Sequence, residues 1–144
     1  MPKSTNLENP ETYLELDPSG FGNRLMALPE SARVGWKIGD ESTFSMLQDT
    51  PWRILIAGVG GSAIGGELIK CIADYEENGT QIVCWRNFGL PNWVDRHTLV
   101  IAISVSGNTV ETRSAVSEAI SLQIPVLVFT GPGPLRTQAK AAGI

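Results

Sequence analysis

Four short apolar runs constrain this chain more than any other feature: "RILIA" (53–57), "QIVCW" (81–85), "TLVIAI" (98–103) and "PVLVF" (125–129). They are rich in Val and Ile and continuous rather than alternating. A strand with one wet face alternates apolar and polar residues, so continuous runs predict strands covered on both faces. Between them, Ile64, Leu68, Cys71, Ile72 and Tyr75 recur at three-four spacing, as do Ala115, Val116, Ala119 and Ile120. Leu135, Ala139 and Ala142 begin a third such face. Strands alternating with helices in this way specify a three-layer α/β fold, a parallel sheet wound on both sides.

Residues 51–144 hold this domain, and residues 1–50 read as an N-terminal arm and helical leader. To about residue 20 the chain is polar, with Pro10, Pro18 and Gly20, and reads as extended. "LPESARVGWKIG" then reads as a helix opened by Pro29 and Glu30, with Leu28, Ala32 and Trp36 on one face to pack against the following domain. The second and third strands are joined only by "RNFGLPNWVDRH", near the shortest return a parallel pair allows, with room for one helical turn around "PNWVD". At the other end, "AAGI" puts glycine after a helix, where such a fold hands over to another strand. The chain therefore reads as part of something longer.

Composition narrows the function classes. With 42% apolar and 18% charged residues, the chain has the make-up of a soluble globular protein. Its net charge of −4 and scattered basic residues argue against a nucleic-acid surface. No run approaches a membrane span, and the polar start "MPKSTNLENPET" has no signal-like region, so the expected location is cytoplasmic. Cys71, Cys84 and the lone His97 have no metal-ligand spacing, and both cysteines read as buried thiols. No metal and no cofactor is expected.

The chemistry is expected in two loops. "AGVGGSAIGG" (57–66) follows the first strand and "SVSGNT" (104–109) follows the third. In open parallel sheets ligands bind beyond the carboxyl ends of the strands, where strand order reverses. With a flavodoxin-like order, 2-1-3-4, the first and third strands are neighbours and the two loops make one pocket. Gly58, Gly60 and Gly61 allow tight turns that present N–H groups, and each loop runs into a helix N-terminus, which favours negative charge. Ser62, Ser104, Ser106 and Thr109 add hydroxyls, while neither loop carries Lys or Arg. Neutral donors suit a phosphate monoester better than a triphosphate with magnesium. A nucleotide-type P-loop is excluded by the missing lysine in "GVGGSAIGGE". A dinucleotide site of NADP type stays open, since Gly58, Gly60 and Ala63 match G-x-G-x-x-A and Arg86 could meet a ribose phosphate. That reading leaves the second loop unexplained.

"SVSGNT" has the S-x-S-G-x-T form of the SIS (sugar isomerase) domain, a phosphosugar-binding fold. "GVGGSAIGGEL" followed by "WRNFGLPNWVDRHTLVIAISVSGNTVET" is similar to the N-terminal half of the bifunctional phosphoglucose/phosphomannose isomerases. "LDPSGF" and "LPESARVGW" resemble that family's leader, and the likeness covers roughly residues 14–144. It implies that Gly60, Gly61, Ser62, Ser104, Ser106 and Thr109 grip a sugar phosphate, while Arg86, Pro91 and Trp93 fall in a structural segment. It also implies isomerisation of hexose 6-phosphates through an enediol, with a glutamate base, an assisting histidine and an arginine. Those three come from segments beyond the matched stretch. Glu67 and Glu111 read as surface carboxylates, Arg136 as a solvated helix start, and His97 lies at the end of the sheet away from the loops. No catalytic residue is therefore expected here. The leading expectation is the phosphosugar-binding domain of an aldose–ketose isomerase, as a homodimer or paired with a second SIS domain. The alternative is a non-catalytic sugar-phosphate-binding module.

Overall fold

The computed structural model describes residues 9–42, 51, 53–76 and 79–144. The chain divides into two compact units, Met1–Phe44 and Ser45–Ile144. The first stretch of the expected arm, residues 1–8, and the end of the expected leader, residues 43–50, lie outside the described residues.

The leader unit carries three helices, α1 (Pro10–Leu16), α2 (Phe21–Met26) and α3 (Leu28–Glu41). The expectation of an extended arm fails over Pro10–Leu16. The reason is local capping, which apolar spacing does not reveal. The N–H of Thr12 donates to the carbonyl of Asn9 at 3.0 Å and closes the turn that starts α1. The carboxylate of Asp17 accepts the N–H groups of Gly22 (2.7 Å) and Phe21 (2.8 Å), which caps α2. These bonds, that of Gly22 foremost, hold the Asp17 carboxyl below its ordinary range. Helix α3 begins as expected, with proline in its first turn. The face shared by Leu28, Ala32 and Trp36 is exposed.

The second unit is built on strands β1 (Arg53–Ala57), β2 (Gln81–Trp85), β3 (Thr98–Ser104) and β4 (Val126–Thr130), each within a residue of its expected place. All pairs are parallel, in the order β2-β1-β3-β4. Helices α4 (Gly61–Glu76), α5 (Val110–Ser121) and α6 (Pro134–Ala141) complete the unit. Because side chains alternate along a strand, the register separates two apolar layers. Leu55, Val100, Ala102 and Val126 meet Val116 and Ala119 of α5 and Leu135 of α6. Ile54, Ile56, Ile82, Cys84, Ile101 and Ile103 gather with Ala73 of α4 on the opposite face. The sheet is thus doubly wound, as its unalternating strands require. Each fully buried Leu, Ile or Val contributes about 1.5–3 kcal/mol.

Helix α4 departs from expectation. It packs with Ala63, Gly66 and Ala73, not with its large residues. An added Cβ on Gly66 would stand 2.8 Å from Ile56 Cγ2 and 3.2 Å from Cys84 Sγ, so helix and sheet are closer than side chains usually allow. The stripe of three-four spacing is turned outward, with Ile64 58%, Leu68 62%, Ile72 58% and Tyr75 89% exposed. Three-four spacing marks an apolar face without saying what covers it. Cys71 belongs to this stripe and is exposed, which corrects its reading as a buried thiol. Cys84 is only partly buried. Burial pushes its thiol up, and the nearby Glu67 carboxylate adds to the shift.

The short return between β2 and β3 contains turns and no helix. The N–H of Val94 reaches the Pro91 carbonyl at 3.0 Å, closing a single turn in place of the helical one expected around "PNWVD". The segment is tied down instead: the indole N–H of Trp85 donates to Gly89 O (2.8 Å), Ser114 Oγ accepts from Gly89 N–H (3.0 Å) and Glu118 from Leu90 N–H (2.7 Å). A direct check of α4's orientation is thiol labelling at neutral pH. Cys71 should react with a thiol reagent at least about tenfold faster than Cys84, and Cys71→Ser should remove the fast phase.

Candidate functional site

The pairing of β1 with β3, in register from Arg53↔Thr98 to Ala57↔Ala102, lays the strands side by side, with β3 running two residues further to Ser104. The loops that follow therefore start from adjacent positions at the carboxyl edge, as expected for a reversal of strand order. Gly58 begins the first loop between its neighbours. Its N–H donates to Trp85 O at 3.1 Å, and a Cβ there would lie 3.2 Å from Ile103 O. Gly60 has a φ of 61°, the left-handed region that favours glycine, and its carbonyl accepts from Ala63 N–H at 3.1 Å. This turn delivers Gly61 and Ser62 to the first turn of α4, which contains no acidic residue. Gly60 and Gly61 are exposed and Ser62 is half-buried.

The second loop is built differently. Ser104 is fully buried, and its Oγ lies 3.0 Å from Thr109 Oγ1, with either hydroxyl able to donate. Thr109 precedes α5 in extended backbone but makes no side-chain cap bond, because its hydroxyl is engaged with Ser104. The first amides of α5 are thus left uncapped by their own N-cap residue. If Ser104 donates, the hydrogen of the half-buried Thr109 hydroxyl is available to a ligand. Ser106 is exposed, and its Oγ accepts the N–H of Asn108 at 3.2 Å. Gly107 turns the loop at a φ of 64°. Among the six residues singled out from the sequence, five have at least partial access to solvent, and Ser104 stands behind Thr109.

The surrounding charges are mostly spoken for. Arg86, after β2, is paired with Glu67 at 2.8 Å, so neither is a lone charge. Glu111 lies half-buried in the first turn of α5, and Arg136 is exposed on α6. His97 sits at the amino end of β3, away from both loops. There, a cavity of ≈ 220 Å³ is lined by Arg53, Asp95, His97 and Thr98. The N–H of His97 donates to the Asp95 carboxylate at 2.9 Å, the main cause of that carboxyl's lowered pKa. No group of three metal-ligating side chains occurs among the described residues, nor is any described helix long and apolar enough to cross a membrane.

A third loop at this edge went unread in the sequence. Thr130–Pro134, "TGPGP", closes against the second loop. Thr130 Oγ1 and Gly131 N–H both donate to Ser104 O (3.0 and 3.3 Å), and Leu135 N–H donates to Gly107 O (2.9 Å). The signal was present as two Gly-Pro pairs directly after a strand, an arrangement that reads as an ordinary turn until its neighbour is known.

No family model matches the chain. Over 116 residues it is 34% identical to the bifunctional phosphoglucose/phosphomannose isomerase of Caldicellulosiruptor bescii, covering 81% of this chain and 34% of that protein. It is 42% identical over 117 residues to the protein of that name from Thermoplasma volcanium, covering 80% and 34%. A D-glucosamine-6-phosphate 4-epimerase from Sulfolobus acidocaldarius matches at 34% over 95 residues, 65% of this chain and 29% of that protein. The resemblance drawn from the loop motifs therefore holds, and the chain spans about a third of the length of the curated relatives it matches. Among solved structures it overlays on the Vibrio vulnificus NanR protein complexed with ManNAc-6P with a TM-score of 0.49 at 23% identity, covering 61% of this chain and 35% of the other. For the tagatose-6-phosphate ketose/aldose isomerase of Escherichia coli the TM-score is 0.46 at 22% identity, covering 90% and 33%. The fold assignment rests on the strand order itself.

The Ser104–Thr109 bond has a measurable consequence. Thr109→Val strands the buried Ser104 hydroxyl and should lower unfolding free energy by about 1–3 kcal/mol. Ser106→Ala, at an exposed position, should change it by less than about 0.5 kcal/mol. Urea denaturation of the two variants distinguishes these outcomes.

Proposed function

We propose that this chain binds the phosphate of a hexose 6-phosphate between its two glycine- and serine-bearing loops, as the phosphosugar-binding domain of an aldose–ketose isomerase. The observation that carries the reading is the parallel pairing of β1 and β3, each followed at the same sheet edge by a loop that leads into a helix N-terminus. Uncapped amides at α5, the turn at Gly60–Gly61 and the hydroxyls of Ser62, Ser106 and Thr109 would surround a dianion with neutral donors. Ser104 would act through Thr109, holding its hydroxyl toward the phosphate. The names of the relatives support phosphoglucose and phosphomannose as the sugars; fructose 6-phosphate is the ketose that both 6-phosphates, epimers at C2, would give on isomerisation.

In this reading the span supplies the phosphate site and not the proton-transfer groups. Glu67 is tied to Arg86, and His97 lies at the far end of the sheet. The same facts favour a second reading, a module that binds a sugar phosphate without transforming it. The outward apolar stripe of α4 supports pairing, either as a homodimer or with a second SIS domain. A phosphorylated sugar cannot cross a membrane unaided, so the proposed setting is the cytoplasm.

Calorimetric titration tests the binding. Glucose 6-phosphate or fructose 6-phosphate should bind, and NADP should not; NADP binding without hexose phosphate binding would establish the dinucleotide alternative instead. Ser106→Ala combined with Thr109→Ala should weaken sugar-phosphate binding, each lost bond to the charged group being worth about 1.5–3 kcal/mol. An unchanged affinity would reduce the second loop to a turn. Turnover of glucose 6-phosphate by the chain alone would show that it carries its own base.

A further inference from the structure

An anion loop needs its N–H groups turned toward the ligand and its carbonyl oxygens turned away, since carbonyl dipoles repel negative charge. The loop after β3 achieves the second half of this with help from the loop after β4. Ser104 O accepts from Gly107 N–H, Thr130 Oγ1 and Gly131 N–H at 3.1, 3.0 and 3.3 Å. Val105 O is the atom that a Cβ on Gly131 would strike. Ser106 O and Gly107 O each lie 2.9 Å from where a Cβ on Gly133 would be, and Gly107 O also accepts from Leu135 N–H. Four successive carbonyls thus face "TGPGP". In a trans peptide the N–H of the next residue points opposite to the carbonyl. Since β3 lies between β1 and β4, carbonyls directed at the β4 side turn the amide of Ser106 toward the β1 side, where the first loop stands, while Asn108 N–H is taken up by Ser106 Oγ.

We infer that Gly131 and Gly133 are positioning residues of the phosphate site, acting by lying close enough to take up the carbonyls of residues 104–107. The inference rests on the phosphate reading above. Gly131 is required for space alone, because any Cβ there meets Val105 O. Gly133 is required both for space and for its φ of 152°. The contact is mutual, since a Cβ on Gly107 would lie 2.9 Å from Pro132 O. A side chain on either glycine pushes the two loops apart, rotates the peptides of residues 105–107 and disperses the amides, without removing any group that touches the ligand.

The test is glucose 6-phosphate affinity, by calorimetry well below the thermal transition, with the unfolding midpoint recorded for every protein. Gly131→Ala and Gly133→Ala should each weaken binding at least about tenfold in protein that remains folded. Thr130→Val, which keeps the branched shape of the side chain and removes one bond to Ser104 O, should weaken it about threefold and decides the matter if the glycine variants do not fold. Gly143→Ala replaces a glycine with a φ of 75° and open space around it, and should leave the affinity unchanged. Variants that lose stability yet bind with the unaltered affinity would overturn the inference and leave the phosphate site intact. Failure of the unaltered chain to bind would sink the phosphate reading itself, and this inference with it.

Discussion

Parallel pairing of β1 with β3 is the constraint from which the rest of this domain follows. The chain leaves β1 through α4 to reach β2 on one side, then returns past β1 to lay β3 on its other side. The helices after β1 and β3 consequently cover opposite faces, and their N-termini converge at one edge. The proposed binding site lies in neither loop alone. It depends on adjacency, which would bring two sets of helix-start amides together in place of the lysine that a single phosphate loop would need.

Strand positions were legible because burial on both faces leaves a mark in the sequence. "RILIA" and "TLVIAI" have no polar alternation to confuse them with half-exposed strands, and the observed order matched the expected 2-1-3-4. Helix orientation was less legible. In α4 the large residues have the correct period, yet Gly66 and Ala73 face the sheet, because Ile56 and Cys84 stand where a larger side chain would go. Periodicity locates an apolar stripe, while close packing selects the small residues beside it. The helix of residues 10–16 was missed for another reason. Its first turn closes on the Asn9 carbonyl, a backbone bond that hydropathy does not register.

The candidate site was partly legible. Glycine and hydroxyl residues after two strands indicated an anion, and the structure places Gly60, Gly61, Ser62, Ser106 and Thr109 at one sheet edge. The sequence could not distinguish an exposed loop hydroxyl from a buried one that holds another hydroxyl. Ser104 and Ser106 differ in this respect only because strand pleat buries the first and the turn exposes the second. The contribution of "TGPGP" was hidden because it depends on what lies opposite Gly131 and Gly133, and pairing of β3 with β4 decides that.

The central claim is that two loops from adjacent strands hold one phosphate. Amide resonances followed during titration with glucose 6-phosphate test it most directly. The account predicts that Gly61 and Ser62 shift together with Ser106, Asn108 and Thr109, along a single saturation curve. Shifts confined to one loop, or centred on Arg53 and His97 at the opposite end of the sheet, would contradict it.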